Sequence, residues 1–325
     1  MYKQTLLFGL IKEKLPINSA LVNEISDSLG ISTDAAYRRI RGDSPVSFEE
    51  AAKLCSHFNI SMDSVVDISN KNHIRCRYSP LNLEEMDSYL NFVQNILDNL
   101  ERVKTAPESK IILSAIDIPQ FNILAHKELA LFKLFSWNKV YNCPLNYETF
   151  IKEIGNYEIF NIHEKIANNY KLIPSTEIWT DSTMDTILRL LSYHFEVGHF
   201  NDKKFPLIIC NQLSDLIDTM QKWSETGTKG IKGVPYNLYI SETEIGNTFL
   251  IFKNAKNTSC MVRLYTLNAL SISDENFCME TESWLQKLMQ RATLISGTSA
   301  RERVKFFNAQ KEKIKTLIKK IESGS

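Results

Sequence analysis

Glycines and helix-capping residues fall at helix-length intervals between residues 23 and 66, and that spacing constrains the fold of this chain more than any other feature. Ile25 and Leu29, four apart, share one face of a short helix, and Gly30 can take the left-handed conformation that ends it. Ile31 is the apolar residue of the turn, and Ser32 is suited to cap the next helix. In that helix Ala36 and Ile40 point inward, while Asp34, Tyr37, Arg38 and Arg41 recur at i, i+3, i+4 and i+7 on the opposite face. Gly42 ends it. Ser47 and Glu50 have the spacing of a capping box, with Pro45 just outside, and Ala51, Leu54, Cys55 and Phe58 supply the inner stripe that follows. Ser61 opens a last short helix bearing Met62, Val65 and Val66. The apolar run at residues 6–11 reads as the first helix of the same unit and not as a signal peptide, because charges follow at once without a small-residue cleavage site.

Two short helices packed at a steep angle can brace one helix and present the other to a DNA major groove. A stripe of two arginines and a tyrosine, beginning at a helix N-terminus, suits base edges and phosphates. The succession Gly-Ile-Ser, Tyr-Arg-Arg-Ile-Arg-Gly, Ser-Phe-Glu-Glu-Ala and Phe-Asn-Ile-Ser-Met-Asp-Ser-Val resembles the helix-turn-helix domain of the Cro and phage-repressor group of bacterial transcriptional regulators, over residues 1–68. The resemblance implies double-stranded DNA as the partner and a recognition helix over residues 32–41. Ser32, Thr33, Asp34, Tyr37, Arg38 and Arg41 are then the groove-facing, DNA-binding residues. Two positions depart from the family pattern. Arg39 stands where an apolar residue is common, and Asp34 is acidic at a position often used for base contact, where it also complements the helix dipole.

Charge qualifies this expectation. The chain carries 38 basic and 38 acidic side chains, and residues 1–70 hold seven basic against nine acidic ones. Non-specific DNA binding depends on clustered positive charge, so a single module of this kind binds weakly and a homodimer reading two half-sites is the natural remedy. The 325 residues are enough for two or three domains. The expected division is a helix-turn-helix domain at 1–68, a linker at 69–81 and a regulatory and oligomerisation domain at 82–325. The expected fold class is mainly α with a small antiparallel sheet: an all-α five-helix N-terminal domain, then a larger α+β domain with room for a small-molecule or protein effector. Six cysteines lack any Cys-x-x-Cys pairing, which fits free thiols in a reducing cytoplasm. No apolar run approaches the eighteen residues a membrane span needs.

Beyond the linker, where Arg75 and Arg77 can reach flanking phosphate, the pattern predicts a helix over 82–104 opened by Asn82. Leu83, Met86, Leu90, Val93, Leu97 and Leu100 step by threes and fours as in a coiled coil between subunits. Tyr89, Phe92, Ile96 and Val103 widen the stripe, as in a helix buried within a domain. A strand is predicted at 111–116, helices at 126–142, 147–169, 183–199 and 207–224, and an antiparallel meander of strands at 236–240, 248–252 and 261–272. Helices at 277–292 and 299–322 close the chain. The last has Val304, Phe307, Ile314, Ile318 and Ile321 at near-heptad spacing among many lysines, suited either to the helix dipole or to a partner helix.

Chemistry outside the helix-turn-helix is thinly signalled. His194 and His199 flank a glutamate, but metalloprotease histidines lie four apart, not five, and Gly198 weakens the helix between them. His163 and Glu164 have no second ligand nearby. Gly227, Gly230 and Gly233 with Lys229 and Lys232 lack the Gly-Lys-Ser/Thr ending of a phosphate loop and read as a connector. No catalytic residue, metal ligand or cofactor is expected, and the chain is not read as an enzyme. The alternative to a DNA-binding regulator is a protein-interaction module that retains the helix-turn-helix shape without binding DNA.

Overall fold

The computed structural model describes residues 2–16, 19–66, 74–140, 143–154 and 158–324. The chain divides into two compact units, Met1–His73 and Ile74–Ser325. In the first, the described residues form helices α1 (Tyr2–Lys14), α2 (Leu21–Leu29), α3 (Thr33–Arg41), α4 (Phe48–His57) and α5 (Met62–Val66). Their apolar faces meet in one core of Leu7, Phe8, Ile11, Ile25, Ala36, Leu54, Cys55, Ile60 and Val65. The all-α N-terminal unit agrees with the sequence reading.

The second unit runs β1 (Cys76–Tyr78), α6 (Met86–Thr105), β2 (Lys110–Ser114), α7 (Gln120–Ile123), α8 (Lys127–Val140), α9 (Tyr147–Ile154), α10 (Ile159–Tyr170), β3 (Ser175–Trp179), α11 (Asp185–Glu196) and α12 (Lys204–Thr226). It continues with β4 (Thr228–Lys229), β5 (Val234–Ile240), β6 (Phe249–Lys253), β7 (Thr258–Arg263), β8 (Ala269–Ile272), α13 (Glu275–Gln290), β9 (Thr293–Leu294) and α14 (Ala300–Ser323). Among the described residues these strands make a nine-stranded sheet in the order β1-β8-β7-β6-β2-β3-β5-β4, with β9 also on β5.

This sheet corrects the expected fold class. It is neither small nor antiparallel throughout: β3 lies parallel to both β2 and β5, while β1, β8, β7 and β6 run antiparallel along one side. The predicted meander fails at its first step, because β5 pairs with β3 and not with β6. The predicted strand at 261–272 is two strands, β7 and β8, folded back on each other. The centre of the sheet is parallel because helical crossovers, α7–α10 between β2 and β3 and α11–α12 between β3 and β5, return the chain in the same direction, and they bury the strands on both faces. Ile111 and Leu113 of β2 enter the core formed with most of the helices, whereas Ile112 enters a second core with Ile178, Ile251 and α13. Successive side chains thus pack on opposite faces, and a strand covered on both sides reads as an unbroken apolar run.

Other expectations also change. The stripe on α6 that could have joined two subunits lies inside the unit, with Tyr89, Val93, Leu97 and Leu100 all buried. The helix predicted at 147–169 is two helices, α9 and α10. Cys76–Tyr78, read as connector, form an edge strand paired with β8. Asn70, Lys71, Asn72 and His73, assigned to the linker, lie outside the described residues. On α14, Phe307, Ile314 and Ile321 are buried, Lys311 pairs with Asp218 at 2.6 Å and Lys313 with Asp185 at 2.7 Å, so its apolar face is already used against α11 and α12. No helix among the described residues is long and apolar enough to cross a membrane.

Candidate nucleic-acid interface

The turn between α2 and α3 is held by local bonds. Gly30 adopts φ 71°, its amide donates to the Ser26 carbonyl at 2.9 Å, and the Ser26 hydroxyl donates to the Ile31 carbonyl at 2.6 Å. Ser32 then caps α3, its hydroxyl accepting from the Ala35 amide at 3.3 Å. At the far end Gly42 has φ 84°, and the Asp43 amide donates to the Arg38 carbonyl at 2.8 Å. The chain thereby reverses into α4, where Ser47 and Glu50 complete their reciprocal box: the Glu50 amide donates to Ser47 Oγ at 3.1 Å and the Ser47 amide to Glu50 Oε2 at 3.0 Å.

These bonds give α3 one inward and one outward face. Ala36 is fully buried and Ile40 half-buried, whereas Ser32, Thr33, Asp34, Tyr37, Arg38 and Arg41 are all exposed. The six sequence-predicted residues therefore share one accessible surface.

Arg39 explains its own departure from an apolar pattern. Its guanidinium reaches α4, with Nη2 donating to Glu50 Oε1 at 2.7 Å and Nε to both carboxylate oxygens at 3.1 and 3.2 Å. Nη1 also donates to the Ala35 carbonyl at 3.3 Å. The hydrogen bond from Arg39, reinforced by the Ser47 amide, holds the Glu50 carboxyl below its usual value against a smaller opposing effect of burial. Arg39 thus ties the exposed helix to its neighbour and is not itself presented outward. Arg41 Nε lies 3.3 Å from Asp43 Oδ2, with both side chains more than half exposed.

Sequence reasoning missed Gln4. Its amide nitrogen donates to the Arg39 carbonyl at 2.6 Å and the Ser44 carbonyl at 2.8 Å, and its oxygen accepts from the Val46 amide at 3.1 Å. Gln4 pins α1 to the end of α3 and the turn that follows. Nothing local marks it, because its partners lie about forty positions away.

The other candidates have partners within the second unit. His194 and His199 do meet, Nδ1 to Nδ1 at 2.8 Å, because α11 ends at Glu196 and Gly198, at φ 73°, turns the chain back. His194 also bonds Ser136 at 3.1 Å, and no group of three potential metal ligands exists among the described residues. Lys229 in the glycine loop points inward, donating to Ser175 Oγ at 2.6 Å and lying over the Tyr170 ring. Gly230 and Gly233 lie in the hairpin turn between β4 and β5, while Gly227 caps the end of α12.

The first unit is a helix-turn-helix fold with an accessible second helix. In agreement, residues 18–90 match the model of the BetR domain, a helix-turn-helix-like DNA-binding family. The match begins after α1 and reaches the first turns of α6. No curated protein and no solved structure matches the chain.

Proposed function

We propose that this chain is a sequence-specific DNA-binding transcriptional regulator that inserts α3 into the major groove. Arg38 and Arg41 pair with guanine or phosphate, and Tyr37 packs on sugar or a thymine methyl. The observation that carries the reading is the single exposed face formed by Ser32, Thr33, Asp34, Tyr37, Arg38 and Arg41 on a helix capped at both ends. Recognition is binding without a reaction. A homodimer on two half-sites compensates for the weak charge of one unit, and the second unit supplies dimerisation and effector sensing. The six cysteines are all free, which suits a bacterial cytoplasm.

Selection from random double-stranded DNA by the full chain, followed by anisotropy titration on the enriched site, tests this. Losing one bidentate base contact costs about 1–3 kcal/mol, so Arg38→Ala is expected to weaken binding about 5- to 150-fold. Unchanged affinity at fixed salt removes Arg38 from the interface, and failure to enrich any sequence removes the DNA reading. A protein-interaction role is the second reading, favoured by the pairing of Arg39 with Glu50 and Arg41 with Asp43. That pairing leaves α3 little net positive charge.

A further inference from the structure

The second unit contains a cavity of about 140 Å³ between helices α6, α7 and α8 and the face of the sheet formed by β2, β6, β7 and β8. Most of its wall is apolar, with Phe92, Ile96, Phe121, Leu250, Phe252 and Met261 among the residues that line it. One part of the wall is charged. Lys133 on α8 is 3% exposed and its ammonium lies 2.6 Å from Asp117 Oδ2. The Arg263 guanidinium stands 3.8 Å from the same oxygen.

Asp117 is already well occupied, since its other oxygen accepts from the Ile118 amide at 2.9 Å. The Lys133 ammonium has three donors, yet Asp117 is its one hydrogen-bond acceptor among the described residues. The side-chain amide nitrogen of Gln120, also in the wall, is buried with no partner among the described residues. This wall therefore sets two cations against one carboxylate: Lys133, buried and 5.2 Å from the centre of the Trp137 ring, and Arg263, 29% exposed with its Nε donating to the Thr266 carbonyl at 2.9 Å. Asp117 already neutralises the Lys133 ammonium, but its unused donors remain costly until further acceptors complete the shell, and a carboxylate supplies two.

We propose that this cavity binds a small monocarboxylate with an apolar, ring-sized body. Its carboxylate accepts from Lys133 and Gln120 beside Arg263, and its hydrocarbon part fills the space between α6 and β6. Size sets the class: an apolar cavity of about 150 Å³ is known to hold benzene, so one ring or a short branched chain fits and a long acyl chain does not. The site lies wholly within the second unit and is tested without DNA, so a failed DNA selection leaves it standing and the reverse also holds.

The test uses the full chain with benzoate, phenylacetate and 3-methylbutyrate as probes, and benzamide as the neutral match for benzoate. Titration calorimetry and thermal shift are expected to show saturable binding of at least one acid, with benzoate at least tenfold tighter than benzamide if benzoate is the one that binds. For whichever acid binds, Lys133→Met is expected to abolish the effect. Because that change strands Asp117, a second variant, Ala269→Phe, fills the wall while keeping every charge and is also expected to abolish binding. Absence of binding by all three acids overturns the proposal. So does equal binding of benzoate and benzamide, or full retention of binding in Ala269→Phe that is folded by circular dichroism.

Discussion

Replacing Glu50 with Gln tests whether the orientation of α3 rests on the Arg39–Glu50 contact. Helix α3 has nine residues, and Ala36 is its one fully buried side chain among them, so apolar packing alone holds it weakly. The Arg39 and Glu50 side chains are 20% and 23% exposed, between the solvated and the buried limits for an ion pair. Solvated pairs contribute about 0.2–1 kcal/mol, and breaking a buried one costs about 3–5 kcal/mol. The forked geometry argues for the upper part of the lower range, about 1 kcal/mol. Gln preserves the oxygen that accepts from the Ser47 amide, so the capping box survives and the charge alone is lost.

That loss is roughly a fivefold rise in the open population of α3 and α4. All four tryptophans (137, 179, 223 and 284) lie in the second unit, so fluorescence is blind to this event. Amide hydrogen exchange of residues 33–57 in the intact chain reports it. The pH dependence fixes the mechanism. Arg39 lowers the folded pKa of Glu50, so the stabilisation is complete above the unfolded carboxylate value of about 4.3 and disappears as pH falls through the lowered value. Wild type and Glu50→Gln should therefore differ at pH 7 and draw together as the pH is lowered below about 4.3. A difference that does not shrink at all as pH is lowered below about 4.3, or no difference at pH 7, refutes an electrostatic hold on α3.

Asp43→Asn removes the carboxylate beside Arg41 and should raise affinity for the selected DNA about two- to fivefold at low salt, with the gain shrinking as salt rises; anisotropy titrations at two salt concentrations measure this, and unchanged affinity argues that Arg41 does not face DNA. Acid should weaken the second unit through its histidines. Burial pushes His163 and His194 down to about 4, so between about 6.5 and 4 the unfolded chain binds more protons and stability falls with pH. His163→Gln should lose visibly less urea stability between pH 7 and pH 5 by tryptophan fluorescence, and a midpoint that falls as far as wild type shows that His163 is not responsible.

The first unit was legible because its signals are local. A glycine that must take positive φ, a serine three residues before the amide it accepts from, and apolar residues four apart all act within one or two turns of chain. The same 3.6-residue period assigned Ser32, Thr33, Asp34, Tyr37, Arg38 and Arg41 to one face. Gln4 escaped because a glutamine gives no hint that carbonyls about forty residues on will bind its amide.

Strands β2, β5 and β6 lie where they were expected, but β3 and the order of the sheet were illegible for the same reason on a larger scale. Ser175-Thr176-Glu177-Ile178-Trp179 does not look like a central strand, yet Glu177 is fully buried, accepting from Trp179 on its own strand, from Tyr170 at the end of α10 and from Asn122 on α7. Burial raises the Glu177 pKa and lowers that of Lys229, and their mutual attraction opposes both shifts. Strand order likewise depends on which distant segments pair, so β5 beside β3 could not be read from β5. The cavity walled by Lys133, Asp117, Gln120 and Arg263 belongs to the same class, drawing its charges from separate segments. Residue sequence alone determined caps, helix ends and which side chains share a helix face, because backbone geometry ties neighbours together. Tertiary structure decided which polar groups could be buried, because the partners that offset their desolvation come from elements far apart in the chain.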